Sequence, residues 1–450
     1  MRLRRGVCCV LATILCGFCA VPTAHAAKKP TVAGELKRLA KAGALTPEDA
    51  AAKRAIYDDA KAKVKKLTGT RRLQLAGVVG DLEGMAARRQ LTASRAPALF
   101  LTLQRNAEYW PSQPLLAGGA RISFPGSQLV FQVYPGHGLQ IQWLATFGTL
   151  NAYWNGGKRY DERANALLDE ALALASQRAG GLAWEYLFPF DGQAPPWVSS
   201  LAQGTGLQAI ARTATRLKRQ EEVFPIAARG LKIFETAPPQ GVRVPMYNGA
   251  HYLQYSGLPK LYIINGFVQS LVGLYDFAAL TGDATARSLF DVGDLAARRE
   301  VPTFDTGAWS LYARGSTKYE SNLSYHELLR DFLVQLCRRT ATVQYCSAQQ
   351  HFTDYLKTPP ALEVLPRTLR PRKTGKLRFK LSKISRIGVR ISRDGELVTT
   401  INPGTLGRGT KSLNWTPPKK TGVYTVTVTA TDLAGNTSSA AGDVDVSKRT

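Results

Sequence analysis

Near residue 359 the hydrophobic period of this chain turns from mainly helical to strictly alternating, and no single fold accommodates both sides. Upstream, segments such as ERANALLDEALALASQRAG, LAQGTGLQAIARTATRL, GFVQSLVGLYDFAALTG, TARSLFDVGDLAARR and YHELLRDFLVQLCRRT place apolar residues at helical spacing. Longer loops rich in aromatics and glycine separate them. Downstream, KLRFKLSKISRIGVRISRDGELVTTI and GVYTVTVTATDLAGNTSS alternate apolar and polar residues, with turns at Asp394-Gly395 and Gly435-Asn436. The stretch between, TPPALEVLPRTLRPRKTGK, is rich in proline and basic residues and reads as a linker. Repeated helix–loop–helix units predict an α/α toroid or partial barrel. Strict alternation predicts an immunoglobulin-like β-sandwich without a cysteine pair.

Five stretches follow from this reading. Residues 1–26 are a leader and 27–104 an N-terminal helical region. Residues 105–358 hold a β-hairpin region followed by the toroid, 359–372 the linker, and 373–450 the sandwich. Thr46-Pro47-Glu48-Asp49 marks a helix start, with a cap residue, proline in the first turn and acids behind it. ARISFPGSQLVFQVYPGHGLQIQWLATFG alternates between Pro/Gly breaks and predicts short strands.

The leader MRLRRGVCCVLATILCGFCAVPTAHA joins three arginines, an apolar run and Ala24-His25-Ala26, the pattern of a secretory signal cut after Ala26. A retained membrane anchor is the alternative. No later segment is long and apolar enough to cross a bilayer. The net charge is +26; without the three leader arginines it is +23. Residues 361–450 carry 17 basic and 6 acidic residues, about half of that excess. Such a balance favours polyanions. For an exported, secreted or cell-surface protein, that points to an anionic cell-wall or extracellular polysaccharide before nucleic acid. Four of the six cysteines lie in the leader, leaving Cys337 and Cys346, which read as a small-loop disulfide or as two buried thiols. A homodimer is left open.

No metal site is expected: His137, His251, His326 and His351 lack ligand spacing to one another or to cysteine. Gly204 and Gly206 open a helix without the third glycine of a phosphate-binding loop, and read as backbone shape at a helix start. Tyrosine in polar loops stands out instead. YLQYSGLPKLYIINGF carries Gln254, Tyr255 and Asn265; FDTGAWSLYARG carries Asp305, Tyr312 and Arg314. YESNLSYHELL carries Asn322, Tyr325 and His326. WEYLFPF adds Glu185 and Tyr186, and PPWVSSLAQG adds Trp197 and Gln203. Taken singly, an aromatic at a helix end is ordinary packing; together these lie in the inter-helix loops of one domain. A phenol beside cations can give or take a proton. Paired tyrosines suit removal and return of the proton α to a carboxylate, with His326 and Arg314 as candidate cations and Glu185 as an acid from another loop.

WVSSLAQGTGLQAIARTATRL, YLQYSGLPKLYIINGFVQSLVGLYDFAALTGD, FDTGAWSLY and NLSYHELL together resemble the C-terminal catalytic domain of the D-glucuronyl C5-epimerases, over roughly residues 120–357. The resemblance implies an α/α barrel and conversion of glucuronic to iduronic acid in heparosan-type polysaccharides, without a cofactor. It implies catalytic roles for Tyr255, Tyr312 and Tyr325. The chain departs from the family at Gln254, where the family has a proton-transferring glutamate. Arg314 follows Tyr312 by two residues rather than three, and the block around Asn322 is shorter by about three. The residues alone leave three readings open: an epimerase, a uronate lyase sharing the same proton removal, and a catalytically silent polysaccharide binder.

Overall fold

The computed structural model describes residues 29–316 and 318–448; the expected leader lies outside them. Helices α1 (Val32–Lys41), α2 (Pro47–Lys66), α3 (Gly69–Ala87) and α4 (Ala96–Tyr109) come first. Thr46 caps α2, its hydroxyl accepting from the Asp49 N–H at 3.1 Å, with Pro47 in the first turn as expected. Helix α4 runs across residues 104–105, and apolar residues of α1–α4 belong to the same core cluster as residues as far along the chain as Phe352. The N-terminal helices therefore pack as part of the larger unit.

A three-stranded sheet follows, β1 (Arg121–Ile122), β2 (Phe131–Tyr134) and β3 (Gly138–Ile141), ordered β1-β2-β3. Next come α5 (Trp143–Gly156), α6 (Asp161–Ala173), the hairpin β4 (Ser176–Arg178) and β5 (Gly181–Ala183), then α7 (Ser200–Leu217), α8 (Gln220–Ala228) and α9 (Lys232–Glu235). The strand β4 falls within a segment that reads as continuous helix, because Leu174 closes α6 and Ala179 and Gly180 take positive φ in a turn. After β6 (Arg243–Met246), β7 (Gly249–Tyr252) and β8 (Leu261–Ile263) come α10 (Ile264–Thr281), α11 (Ala284–Glu300), β9 (Leu311–Gly315), β10 (Tyr319–Glu320), α12 (Leu323–Thr340) and α13 (Val343–Tyr355). The chain is thus more mixed than the helical expectation, with strands filling the loops.

Helices α5, α7, α10 and α12 pack side by side in that order, and α6, α8, α11 and α13 each back the helix before them. The row does not close: α5 and α12 stand apart where the other neighbours pack tightly. Gly204 and Gly273 set the closest approach. A Cβ on Gly273 would lie 2.2 Å from the Gly204 carbonyl oxygen, so only glycine lets α7 and α10 meet there. Gly204 therefore serves helix packing rather than the helix start, which belongs to the Ser199 cap. Cys337 and Cys346 form a disulfide joining α12 to α13.

The C-terminal unit begins inside the expected linker. Strands β11 (Leu362–Leu365) and β12 (Arg367–Leu369) flank Pro366, which has no N–H to continue a ladder. There the chain crosses from one sheet to the other. With β13 (Gly375–Leu381), β14 (Ser385–Arg393), β15 (Glu396–Leu406), β16 (Gly409–Trp415), β17 (Gly422–Asp432) and β18 (Thr437–Val446), the sheets are ordered β11-β13-β16 and β12-β18-β17-β14-β15. They enclose a core that includes Phe379, Ile391, Trp415 and Val428. This unit docks on the helices through Lys383. Buried against Asp432 at 2.7 Å, Lys383 Nζ also donates to the carbonyls of Tyr355 and Thr358 at the end of α13. Asn436 donates to the Leu356 carbonyl at 2.9 Å, and the Arg408 N–H to Glu320 Oε2 at 3.0 Å. Among the described residues, no helix is long and apolar enough to cross a membrane.

Candidate functional site

Tyr255, Tyr312 and Tyr325 meet in one cleft. A cavity of about 440 Å³ is lined by all three, with Tyr319, Phe190 and Asn322 among its other walls. The rings of Tyr312 and Tyr325 stand 4.5 Å apart, and those of Tyr312 and Tyr319 5.3 Å apart. Tyr255 comes from the opposite chain segment and packs edge-on against Trp197 at 5.5 Å. Local structure aims each one. Asn322 caps α12, its Oδ1 accepting from the Tyr325 N–H at 2.9 Å, which starts the helix with Tyr325 in its first turn. Tyr312 rides on β9, whose neighbour β8 leads directly into α10.

A second cavity of about 510 Å³ continues from Phe190, Tyr255 and Tyr325. Tyr186, Trp197, Gln254, Asn265, Tyr134 and Arg121 line it. Tyr186 stacks on Trp197 at 4.2 Å, and its hydroxyl bonds Gln142 Oε1 at 3.1 Å. Gln254, 8% exposed, leans on the first turn of α10. A Cβ at Gly266 would lie 2.7 Å from Gln254 Oε1, so the glycine of Asn265-Gly266-Phe267 makes room for that amide.

The site holds Tyr255 and Tyr312 neutral. Burial pushes the Tyr255 and Tyr312 hydroxyls well above the ordinary phenol range, and neighbouring tyrosines push the same way. Hydrogen bonding from Gln254 opposes this in both. Burial also lifts Tyr134 to about 12, opposed by hydrogen bonding from Gln142 and the charge of Arg121. Tyr325 disfavours charge on Tyr255, and Tyr255 and Tyr325 disfavour it on Tyr312, so Tyr255 and Tyr312 are proton donors at neutral pH and a second phenolate beside a first is opposed.

Five residues expected at the site lie elsewhere. Glu185 is shut in a buried ion pair: Oε2 meets Arg95 Nε at 2.6 Å, and Oε1 meets Arg95 Nη2 and Arg178 Nη1. Its side chain is fully enclosed, so it is a counter-ion for two arginines, not a substrate carboxylate. Gln203 is spent on backbone, donating to the Leu182 and Gly230 carbonyls at 3.1 Å. His326 Nε2 lies 2.9 Å from the Phe352 carbonyl, which can only accept, so the proton is on Nε2. Nδ1 then accepts from the Ser310 N–H at 3.2 Å, and the ring stacks on Trp309 at 3.7 Å. Burial first, then the charge of Lys383, lowers its pKa to about 4, so His326 is not a cation at neutral pH. Asp305 anchors Tyr355 and His351 of α13. Arg314 lies over the Phe304 ring, 5.7 Å from its centre, and does not line the cleft.

Tyr134 and Arg121 are wall residues that sequence reasoning passed over. Both sit on the small β-sheet, and the one available signal was tyrosine beside the Pro-Gly turn of FQVYPG. Among the described residues, no group of three or more His, Cys, Asp or Glu side chains converges as a metal site.

Residues 179–354 match the family described as D-glucuronyl C5-epimerase C-terminus. A D-glucuronyl C5-epimerase of Caenorhabditis elegans is 30% identical over 150 residues, covering 29% of this chain and 24% of that protein. An uncharacterised protein of Methanocaldococcus jannaschii is 24% identical over 171 residues, covering 36% of this chain and 54% of that protein. The matched stretches thus span about a quarter and about half of these relatives. A cellobiose 2-epimerase from Bacillus thermoamylovorans B4167 aligns over 59% of this chain and 73% of its own, at 10% identity and a TM-score of 0.40, too loose a likeness to carry fold or function. The match includes Gln254, Tyr255, Tyr312 and Tyr325 and leaves Arg121 and Tyr134 outside.

Proposed function

We propose, from the match of residues 179–354 to the D-glucuronyl C5-epimerase C-terminus, that the chain acts at C5 of glucuronic acid residues in an exported, anionic, heparosan-type polysaccharide. The observation that carries the reading is the convergence of Tyr255, Tyr312 and Tyr325 on one cavity. One phenol, as phenolate, takes the C5 proton; the carbanion is held as an enediolate of the sugar carboxylate; a neutral phenol on the other face returns a proton with inverted configuration. Arg121 is the cleft cation for the carboxylate, replacing His326 and Arg314 in that role. Gln254 supports the phenolate by hydrogen bonding but carries no proton to exchange. In this reading the paired helical rows are an incomplete α/α toroid. The two-sheet unit is immunoglobulin-like and, with its net charge, holds the protein near the polymer at the cell surface or outside the cell.

Incubation with heparosan in deuterated water, read by NMR, tests this. Deuterium at C5 together with iduronate is the expected result. An unsaturated uronate signal instead replaces epimerisation by elimination. Binding without either signal overturns the enzymatic reading in favour of a silent binder, which the amide at Gln254 favours.

A further inference from the structure

The C-terminal unit reaches toward the tyrosine cleft through one buried side chain. Lys383, between β13 and β14, is 1% exposed. Its ammonium pairs with Asp432 at 2.7 Å and donates to the Tyr355 and Thr358 carbonyls. The same ammonium sits over the Trp309 ring, 5.3 Å from its centre. We propose that Lys383 is a positioning residue for the tyrosine cleft, acting through Trp309 and His326 on the segments that carry Tyr312 and Tyr325. In that role the C-terminal unit shapes the cleft, beyond holding the protein near a polymer. The proposal rests on the reading of that cleft as the reacting site.

Trp309, Ser310, Ser321 and His326 are all fully buried. The Trp309 and His326 rings stack 3.7 Å apart and only 8° from parallel. Trp309 Nε1 donates to the Ser321 carbonyl at 2.8 Å, the Ser310 hydroxyl to Ser321 Oγ at 2.9 Å, and the Ser321 N–H to the Ser310 carbonyl at 2.9 Å. These bonds close the open end of the β9–β10 hairpin, which carries Tyr312 and Tyr319. His326 Nδ1 accepts from the Ser310 N–H at 3.2 Å, and His326 follows Tyr325 in the first turn of α12. One imidazole thus joins the hairpin to the helix. The 4.5 Å separation of the Tyr312 and Tyr325 rings depends on that joint.

The joint works only while His326 is neutral. A protonated imidazole carries a hydrogen on Nδ1 as well as on Nε2, and at Ser310 two donors would then face each other. Burial disfavours the imidazolium first. Lys383 and Arg330 disfavour it too, whereas the Phe352 carbonyl of α13 and Asp305 ahead of β9 favour it. Arg330 belongs to α12 itself. Lys383, with Asp432 paired to it, is what the C-terminal unit brings to this balance.

Lys383→Met combined with Asp432→Asn, in the full chain, tests this. Both buried charges go together, so no lone ion is left, and the amide keeps an oxygen for the Ala434 and Asn436 N–H groups. C5 deuterium exchange on heparosan is expected to fall about tenfold at pH 7, in kcat with KM unchanged. The ratio of variant to wild type falls further toward pH 5. In NMR the His326 ring titrates at a pH about one unit higher than in wild type. A folded variant with wild-type exchange and an unmoved His326 titration overturns the proposal. So does a loss that is equal at every pH with His326 unmoved, because that is packing alone. Trp309→Phe is the milder variant: it keeps the ion pair, removes the bond to Ser321 and is expected to lower kcat about threefold. Unchanged kcat there overturns the path even where the double variant does not fold. The His326 titration needs no substrate. Absence of exchange in the wild type sinks the epimerase reading, while a shifted titration still upholds the link; exchange with an unmoved titration sinks the link alone.

Discussion

Glu185-Tyr186 and Gln254-Tyr255 look interchangeable in the sequence: a side chain with an acid or its amide, directly before a tyrosine, in an aromatic loop. Both tyrosines line the same cavity. Their preceding residues do opposite things. Glu185 turns away into a cage of Arg95 and Arg178, whereas Gln254 faces the cleft and touches the electrostatics of Tyr255 and Tyr312. A carboxylate that neutralises two buried guanidiniums is not available to move protons. A neutral amide is tolerated in a cleft that already disfavours charge. The chain thus keeps its acid where charge must be balanced, and an amide where a catalytic acid is expected.

Loss of the phenols should break the comparison most sharply. Tyr255→Phe and Tyr312→Phe are each expected to lower C5 deuterium exchange by about 10²–10⁴, the usual contribution of a general acid or base. Unchanged exchange in both would remove tyrosine from the chemistry. Glu185→Gln should cost about 3–5 kcal/mol of stability in urea unfolding, because two buried arginines lose their shared counter-ion. Gln254→Leu, by contrast, should cost under about 1.5 kcal/mol; equal losses would erase the distinction between the two loops.

His326 sharpens the comparison from the side of pH. Its folded pKa of about 4 lies below the ordinary 6.5, so the unfolded chain binds a proton between these values that the folded chain does not. Stability is fully present above 6.5 and is lost as pH falls through 4, by about 3 kcal/mol across the window. Asp81, raised to about 7 by burial, acts in the opposite sense. The measurement is therefore the difference in pH slope between wild type and His326→Asn, expected to be flatter in the variant. The smallest effect is at the amide: Gln254→Glu should raise exchange about tenfold by restoring a titratable partner to the phenols. A fall would show that the site works with the amide.

Much of the molecule was legible because its signals are local. Thr46 and Asn322 cap helices as their side chains allow, and alternation over 375–446 yields paired strands. Cys337 and Cys346 lie close enough along α12 and α13 to bond. The misplaced residues failed for one reason. Motif spacing reports that a side chain is near a loop, not which way it faces. Gln203, His326 and Asp305 lie beside site segments and spend their polar atoms on the frame. The apparent linker hides two strands because β11 and β12 are short and find their partners only across the sheets.

By itself the sequence determined the change of period at residue 359, the elements on either side of it and the tyrosines that carry the family likeness, since each depends on residues a few positions apart. Only the tertiary structure decided that Glu185 is a counter-ion, that Tyr134 and Arg121 complete the cleft, and that α5 and α12 leave an opening beside it. Those outcomes depend on which distant groups satisfy a buried charge or acceptor, and that is settled by packing.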